Sequence, residues 1–195
     1  DAHITKNWTG DLASGHDPAG KQVEQVVNTV NIIGPDFVIH TGDAIMDYVR
    51  PPVPGMDAAR KWDCFYEGSG GVRSFHGLNC PFFQTAGNHD HYQAGGNPAA
   101  QYAECNGLRT LGFSYGTGRF LALDDSLAKD IPAQLEKLKA YLGQAGPGEF
   151  RVLCEHQPMN LDANFLGDCN VQLALAGHIH RNTERQLGGA LVLTT

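Results

Sequence analysis

The sequence predicts an α/β fold, in which short buried strands alternate with helices. Short apolar runs recur along the chain and end in a glycine or a polar cluster, and segments with helical spacing of apolar residues separate several of them. The 24 glycines among 195 residues supply the tight turns that such a fold needs. A chain of this length fits one domain, which we assign to residues 1–195.

The first half of the chain predicts one long helix, two strands and an irregular excursion. Valine and isoleucine recur at helical spacing from about residue 19 to Ile33, and a Gly-Pro pair then ends the helix. The stretches "DFVIHTGD" and "CPFFQTAGNHD" each predict a buried strand that runs into a glycine and a polar cluster. Between them, residues 51–79 are the least regular segment, with a short helix expected near 58–66.

The second half predicts a hairpin, a helix and three further strands. "FSYGTGRFLALDD" has alternating apolar residues around a turn at 116–118, which is typical of a β-hairpin. Leucines at i, i+3 and i+7 predict a surface helix over 132–142. The stretches "RVLCEHQP", "VQLALAGHIH" and "ALVLTT" predict the remaining strands.

Charge and hydropathy limit the classes of partner. The formal net charge is −7, and the chain has no run of Lys or Arg, so we do not expect a nucleic acid as a charge-driven partner. No stretch approaches the roughly 18 apolar residues of a transmembrane helix, so we expect no membrane span in this segment.

The five cysteines do not form a C-x-x-C pair, which argues against a structural zinc site. Buried free thiols are the simplest interpretation. Cys64 and Cys80 flank a glycine-rich loop and are candidates for a disulfide if the protein is exported. The sequence leaves that pairing open.

Five places in the chain end in carboxylate, amide or imidazole groups, and four of them follow predicted strands. The residues are Asp1 with His3, Asp43, Asn88 with His89, His156, and His178 with His180. Loops at the carboxyl ends of strands converge in space, and functional residues are often held there. Oxygen and nitrogen ligands without thiolate suit manganese, iron or zinc, so we expect a metal site.

Taken together, "DAH", "TGD", "GNHD", the histidine of "EHQP" and "GHIH" occur in the order seen in a known family. In these motifs the chain resembles the calcineurin-like metallophosphoesterases, from residue 1 to about 182. The resemblance implies a four-layer α/β/β/α sandwich of two mixed sheets flanked by helices. It also implies metal-dependent hydrolysis of a phosphoric ester, either a monoester or a diester.

The resemblance further implies a role for each matching residue. It implies two divalent or trivalent ions of manganese, iron or zinc and a hydroxide between them as the nucleophile. His89 is the implied general acid, and Asp90 is expected to orient its ring. The implied ligands are Asp1, His3 and His180 for one metal, Asn88, His156 and His178 for the other, and Asp43 as the bridge.

The other histidines are expected to be structural. We assign His16, His40 and His76 to the core or the surface, with an indirect role at the site open for His40. His91 forms a second H-x-H pair with His89, and we do not expect both to be ligands.

Two other functions stay open at this point. One is a binding or scaffold protein that kept the fold and lost turnover, and the other is a mononuclear zinc hydrolase that uses the histidine cluster alone. The second would leave "TGD" and "GNHD" unexplained. The substrate is also open, because loops such as residues 51–79 set it.

The chain begins directly at "DAH", without an apolar strand before it. We therefore expect that this chain is an excerpt of a longer protein. We expect the excerpt to lack the first strand of the domain and to be truncated at both ends. The "GDAIMD" stretch is similar to a subgroup of bacterial, often exported, phosphoesterases, which favours an exported or periplasmic location without deciding it.

Overall fold

A computed structural model of the chain describes residues 18–45, 58–68, 73–91, 98–125 and 131–195. Eight strands lie in these ranges. They are β1 Val38–His40, β2 Phe82–Gln84, β3 Leu111–Tyr115, β4 Gly118–Ala122, β5 Phe150–Cys154, β6 Leu173–Ala176, β7 Thr183–Leu187 and β8 Ala190–Thr194.

The described ranges also contain six α-helices and two short 3₁₀ turns, and all but the first helix lie between strands. The helices are α1 Pro18–Ile33, α2 Ala58–Glu67, α3 Asn88–His91, α4 Pro98–Asn106, α5 Ile131–Gly143 and α6 Ala163–Asp168. The 3₁₀ turns are Phe75–Gly77 and Pro158–Asn160. The predicted helices near 19–33, 58–66 and 132–142 are therefore confirmed, and α3, α4 and α6 are additions.

The strands form two sheets. Strands β1 and β2 pair in parallel, and a six-stranded sheet has the order β3-β4-β5-β6-β8-β7. In this larger sheet β4, β5, β6 and β8 are parallel, while β3 and β7 run antiparallel at its two edges. The larger sheet is therefore mixed, as the resemblance to the family implies.

Each sheet buries a separate hydrophobic core against helices. Val27 of α1 and Phe65 of α2 lie in the core of the two-stranded sheet, whereas Leu138 of α5 and Leu166 of α6 lie in the core of the six-stranded sheet. The mixed α/β fold with two sheets flanked by helices is thus confirmed.

Aromatic side chains join the two sheets. The rings of Phe83 on β2 and Phe113 on β3 stack with their centroids 4.0 Å apart, and Phe37 contacts Phe120 on β4 edge to face. These contacts add to burial because aromatic rings prefer stacked and edge-to-face arrangements. They fix the two-stranded sheet next to the hairpin.

The parallel strands bring their carboxyl ends to one edge of each sheet. The β-ladder continues past the strand ends, because Glu155 donates to the carbonyl of Leu175 and Gly177 donates to that of His156, both at 3.0 Å. The loops that carry Asp43, Asn88, His156 and His178 therefore leave ordered strands, which limits how far each side chain can move.

Three further predictions bear on these ranges. All five cysteines are free thiols, with Cys64 buried, so the structure has no bridge to Cys80. None of the described helices is long and apolar enough to cross a membrane. Asp1, His3, His16 and the expectations about the chain's beginning lie outside the described residues.

Candidate metal centre

His156 lies at the centre of the predicted ligands. Its Nε2 atom is 3.0 Å from Oδ2 of Asp43, 3.1 Å from Oδ1 of Asn88 and 3.2 Å from Nδ1 of His178. Asp43, His156 and His178 offer ligand atoms that all lie within 4.8 Å of one another. The structure thus brings together four of the seven predicted ligands.

The other nitrogen of His156 fixes the orientation of its ring. Nδ1 lies 2.8 Å from the carbonyl oxygen of Thr41, which can only accept, so Nδ1 carries the hydrogen. The Nε2 atom then faces a carboxylate, an amide oxygen and a second imidazole. A metal-binding histidine typically donates the N–H of its other ring nitrogen in this way.

The charges at this centre favour a cation. Burial raises the pKa of Asp43, but the hydrogen bond and charge of His156 lower it, and the net shift is downward. Burial lowers the pKa of His156, but Asp43 raises it through the same bond, and the net shift is upward. Positive charge is therefore stabilised between these two residues, and the residues present fit a metal ion there.

His178 differs from His156 in charge. Burial first, and the positive charge of His156 second, lower its pKa, so the ring is neutral at neutral pH. Neutral imidazole is the form that binds metals.

The backbone is strained at the predicted ligands. Asp43, His178 and His180 have φ values of 54°, 69° and 50°, a backbone conformation that residues other than glycine rarely adopt. Among the described non-glycine residues, Asn170 is the fourth such case. Strain of this kind is concentrated at functional sites.

Two glycines allow the loops after β1 and β2 to touch. A Cβ atom on Gly42 would lie 2.7 Å from the amide nitrogen of Gly87 and 2.8 Å from Nδ1 of His156. A Cβ atom on Gly87 would collide with Oδ1 of Asp43. The glycines of "TGD" and "GNHD" thus permit the close packing on which the site depends.

His89 and Asp90 both contact the loop that follows β1. The backbone N–H of His89 donates to Oδ1 of Asp43 at 2.9 Å. The buried carboxylate of Asp90 accepts from the backbone N–H groups of Gly87 at 2.8 Å and Ile45 at 3.0 Å. These bonds hold the two loops together, and the orientation of the His89 ring by Asp90 stays a prediction.

Burial raises the pKa of Asp90 to about 6, although its two backbone hydrogen bonds act in the opposite direction. A carboxylate in this position is stabilised by N–H groups rather than by solvent.

The other predicted metal site is described only in part. His180 is exposed and lies outside the cluster of Asp43, His156 and His178. Asp1 and His3 fall outside the described residues. A site made of Asp1, His3 and His180 therefore stays a prediction.

The remaining described histidines have structural partners. His76 is exposed and pairs with Glu67 at 2.7 Å. His40 packs against Phe65 and its Nδ1 accepts from the N–H of Gly42 at 3.3 Å, next to Asp43. His91 is buried and lies 2.9 Å from the carboxylate of Asp124.

Two contributions to the site were not predicted from the sequence. The carbonyl of Thr41 orients His156, and a backbone atom carries no residue-type signal. The carboxylate of Asp125 accepts from the backbone N–H of His156 at 3.3 Å. Asp125 also follows a strand and is polar, so the rule that identified the other ligand loops would have selected it.

Comparison with known proteins gives a family match over most of the chain. A family model described as calcineurin-like phosphoesterase matches residues 7–182. The DNA double-strand break repair protein Mre11 of Thermoplasma acidophilum is 28% identical over 178 residues, which cover 78% of this chain and 43% of that protein. The chain therefore spans less than half the length of this curated relative.

Solved structures share the fold at low sequence identity. A dimetal phosphatase from Danio rerio matches with a TM-score of 0.66 and 15% identity, covering 90% of this chain and 77% of the other. GAP50 of Plasmodium, described as the anchor in the inner membrane complex, matches with a TM-score of 0.62 and 17% identity, covering 92% and 68%. At these identities the two structures support the fold alone.

Proposed function

This chain belongs to the calcineurin-like phosphoesterase family, and we propose that it hydrolyses a phosphoric ester with two bound transition-metal ions. The observation that carries the proposal is the convergence of Asp43, Asn88 and His178 on the Nε2 atom of His156. A monoester and a diester both fit this chemistry, as do manganese, iron and zinc.

The proposal gives each residue a role in holding the metals. Asn88, His156 and His178 would hold one ion, Asp1, His3 and His180 the other, and Asp43 would contact both. When bound, such ions supply Lewis acidity, which lowers the pKa of water and offsets the charge of a phosphoryl group.

We assign proton donation to the leaving oxygen to His89. Its half-buried position, one residue from Asn88, and its backbone bond to Asp43 support this role. Asp90 is then a positioning residue, because its carboxylate fixes the two loops that carry Asp43 and His89.

The test compares two histidine variants of the manganese-loaded protein. We expect His156→Ala to lower the hydrolysis of p-nitrophenyl phosphate or of its diester, whichever the wild type hydrolyses faster, by at least about 100-fold, because the cluster loses its central residue. The matched control is His76→Ala, which removes an exposed histidine whose ion pair contributes little. Equal activity of the two variants would contradict the proposal.

A binding protein without turnover is the alternative. A Plasmodium protein described as an anchor shares this fold, so the fold by itself does not require turnover. Wild-type protein that binds no transition metal and hydrolyses neither p-nitrophenyl phosphate nor its diester would support this alternative.

The substrate class needs its own measurement. A nucleic acid is one candidate, because the curated relative is described as a DNA repair protein, but the net charge of −7 disfavours it. We expect small phosphate esters to be hydrolysed faster than a single-stranded DNA oligonucleotide. Preferential cleavage of the oligonucleotide would reverse this expectation.

A further inference from the structure

Two consecutive aspartates follow β4 and belong to none of the predicted ligand sets. Asp124 and Asp125 are 0% and 1% exposed. Buried carboxylates are costly unless they are paired or hydrogen-bonded, so their partners show what holds them there. Those partners lie on two different segments of the proposed metal site.

Asp125 binds the segment that carries His156. Its Oδ1 accepts from the backbone N–H of His156 at 3.3 Å, and its Oδ2 accepts from that of Gln157 at 2.8 Å. The side-chain amide of Asn160 donates the third bond to this carboxylate, to Oδ2 at 3.3 Å. The two oxygens thus fix the backbone of His156 and of the residue that follows it.

Asp124 binds the helix that carries Asn88 and His89. Its carboxylate lies 2.9 Å from Nε2 of His91, the last residue of α3, and 2.6 Å from Nε of Arg109. Because α3 is a single turn, Asn88 and His91 are three residues apart in one rigid unit. A bond at His91 therefore limits the movement of Asn88.

The two aspartates extend the same strand and reach different parts of the molecule. Asp125 contacts the loop after β5 in its own sheet, and Asp124 contacts α3, which follows β2 in the other sheet. Asn88 and His156 meet between those two segments at 3.1 Å. The pair is therefore placed where it fixes both sides of that contact.

We infer that Asp124 and Asp125 are positioning residues for the metal site: Asp125 holds His156 in place, and Asp124 holds the helix that carries Asn88 and His89. This inference rests on the proposed function, since it assumes that these residues hold a metal. Some residues do not bind the metal but orient the side chains that do. Altering such a residue typically weakens metal affinity by about 10- to 100-fold.

The test is a calorimetric titration of the metal-stripped protein with Mn²⁺ alone. We expect Asp125→Asn and Asp124→Asn each to weaken Mn²⁺ binding by about 10- to 100-fold, because an amide cannot accept all of the bonds that each carboxylate accepts. The matched control is Asp162→Asn at the start of α6, where the carboxylate also accepts a backbone N–H, from Phe165 at 2.7 Å. We expect that control to bind Mn²⁺ like the wild type, because the amide oxygen of asparagine can still accept the bond from Phe165, and this bond caps α6 rather than holding a ligand loop.

The outcomes separate this inference from the proposed function. Wild-type affinity in a folded Asp125→Asn or Asp124→Asn protein would overturn the role of that residue, while a wild type that binds no Mn²⁺ would overturn the proposed function as well. If Asp125→Asn does not fold, Asn160→Ala removes an exposed donor to the same carboxylate. For that variant we expect roughly threefold weaker binding, and unchanged binding would count against Asp125.

Discussion

The imidazole of His156 is completely buried, and both of its nitrogens have polar neighbours. Nδ1 donates to Thr41, while Nε2 lies within 3.2 Å of Asp43, Asn88 and His178. One ring nitrogen carries at most one proton and therefore cannot satisfy three such neighbours. A metal ion at this point would be shared by all of them, which is why we place the proposed function there.

The role of His89 predicts a dependence on the leaving group. We expect His89→Gln to slow the hydrolysis of an alkyl phosphate ester by about 10²- to 10⁴-fold, since an alkoxide needs a proton to depart. The loss for a p-nitrophenyl ester should be much smaller, because p-nitrophenolate is a stable leaving group. Steady-state rates of the manganese-loaded protein for both esters give the measurement.

An equal loss of rate for both esters would show that His89 does not donate the proton to the leaving oxygen. It would instead indicate that His89 contributes through its position beside Asp43.

Residue type selected the converging side chains better than it selected the groups that support them. Asp43, Asn88, His156 and His178 could be selected from the sequence because each follows an apolar run and carries a metal-binding group. The support from Asp125 depends on which loop lies beside β4, and that is set by strand order rather than by local sequence.

At the scale of elements, the site depends on how closely the loops after β1 and β2 approach each other. Gly42 and Gly87 are packed so tightly that a methyl group on either would overlap backbone or ligand atoms. The Asp90 carboxylate then bridges the two loops through the N–H groups of Gly87 and Ile45. This contact is the part of the fold that a small change should disturb most.

We expect Gly87→Ala to destabilise the protein by about 1–3 kcal/mol, since the added methyl group forces Asp43 to move. Mn²⁺ affinity should fall in the same variant, because Asp43 is a proposed ligand. Denaturant unfolding and calorimetric titration measure the two effects.

Gly143→Ala is the matched control, because among the described residues no atom outside the local backbone of α5 lies within 4 Å of the position that its Cβ would take. We expect it to change stability by less than about 1 kcal/mol and to leave Mn²⁺ binding intact. If Gly87→Ala behaves like this control, the close packing of the two loops is not needed for the site.

The elements that the sequence predicted are those with clear apolar periodicity, such as α1 and β5. Strand β7 was missed because its sequence "TERQL" is polar and largely exposed, and it is a strand through antiparallel pairing with β8. Helix α3 was missed because four polar residues form it and their contacts across loops hold it. Tertiary contacts decide such elements, and local sequence does not record them.

At the scale of the whole molecule, the two sheets present their carboxyl-terminal loops to one centre. The two-stranded sheet supplies Asp43 and Asn88, and the six-stranded sheet supplies His156 and His178. Each sheet has its own core, so the site lies between two packed layers. The assignment of one domain to residues 1–195 stays a prediction.

We propose that this site holds two transition-metal ions, and the metal content of the purified protein decides between two ions, one ion and none. Elemental analysis after loading with Mn²⁺ and removal of excess metal should give close to two ions per chain. The Asn88→Ala variant should give fewer, because it lacks one ligand. One ion per wild-type chain would favour the mononuclear alternative, and a wild type without bound metal would contradict a metal-dependent activity.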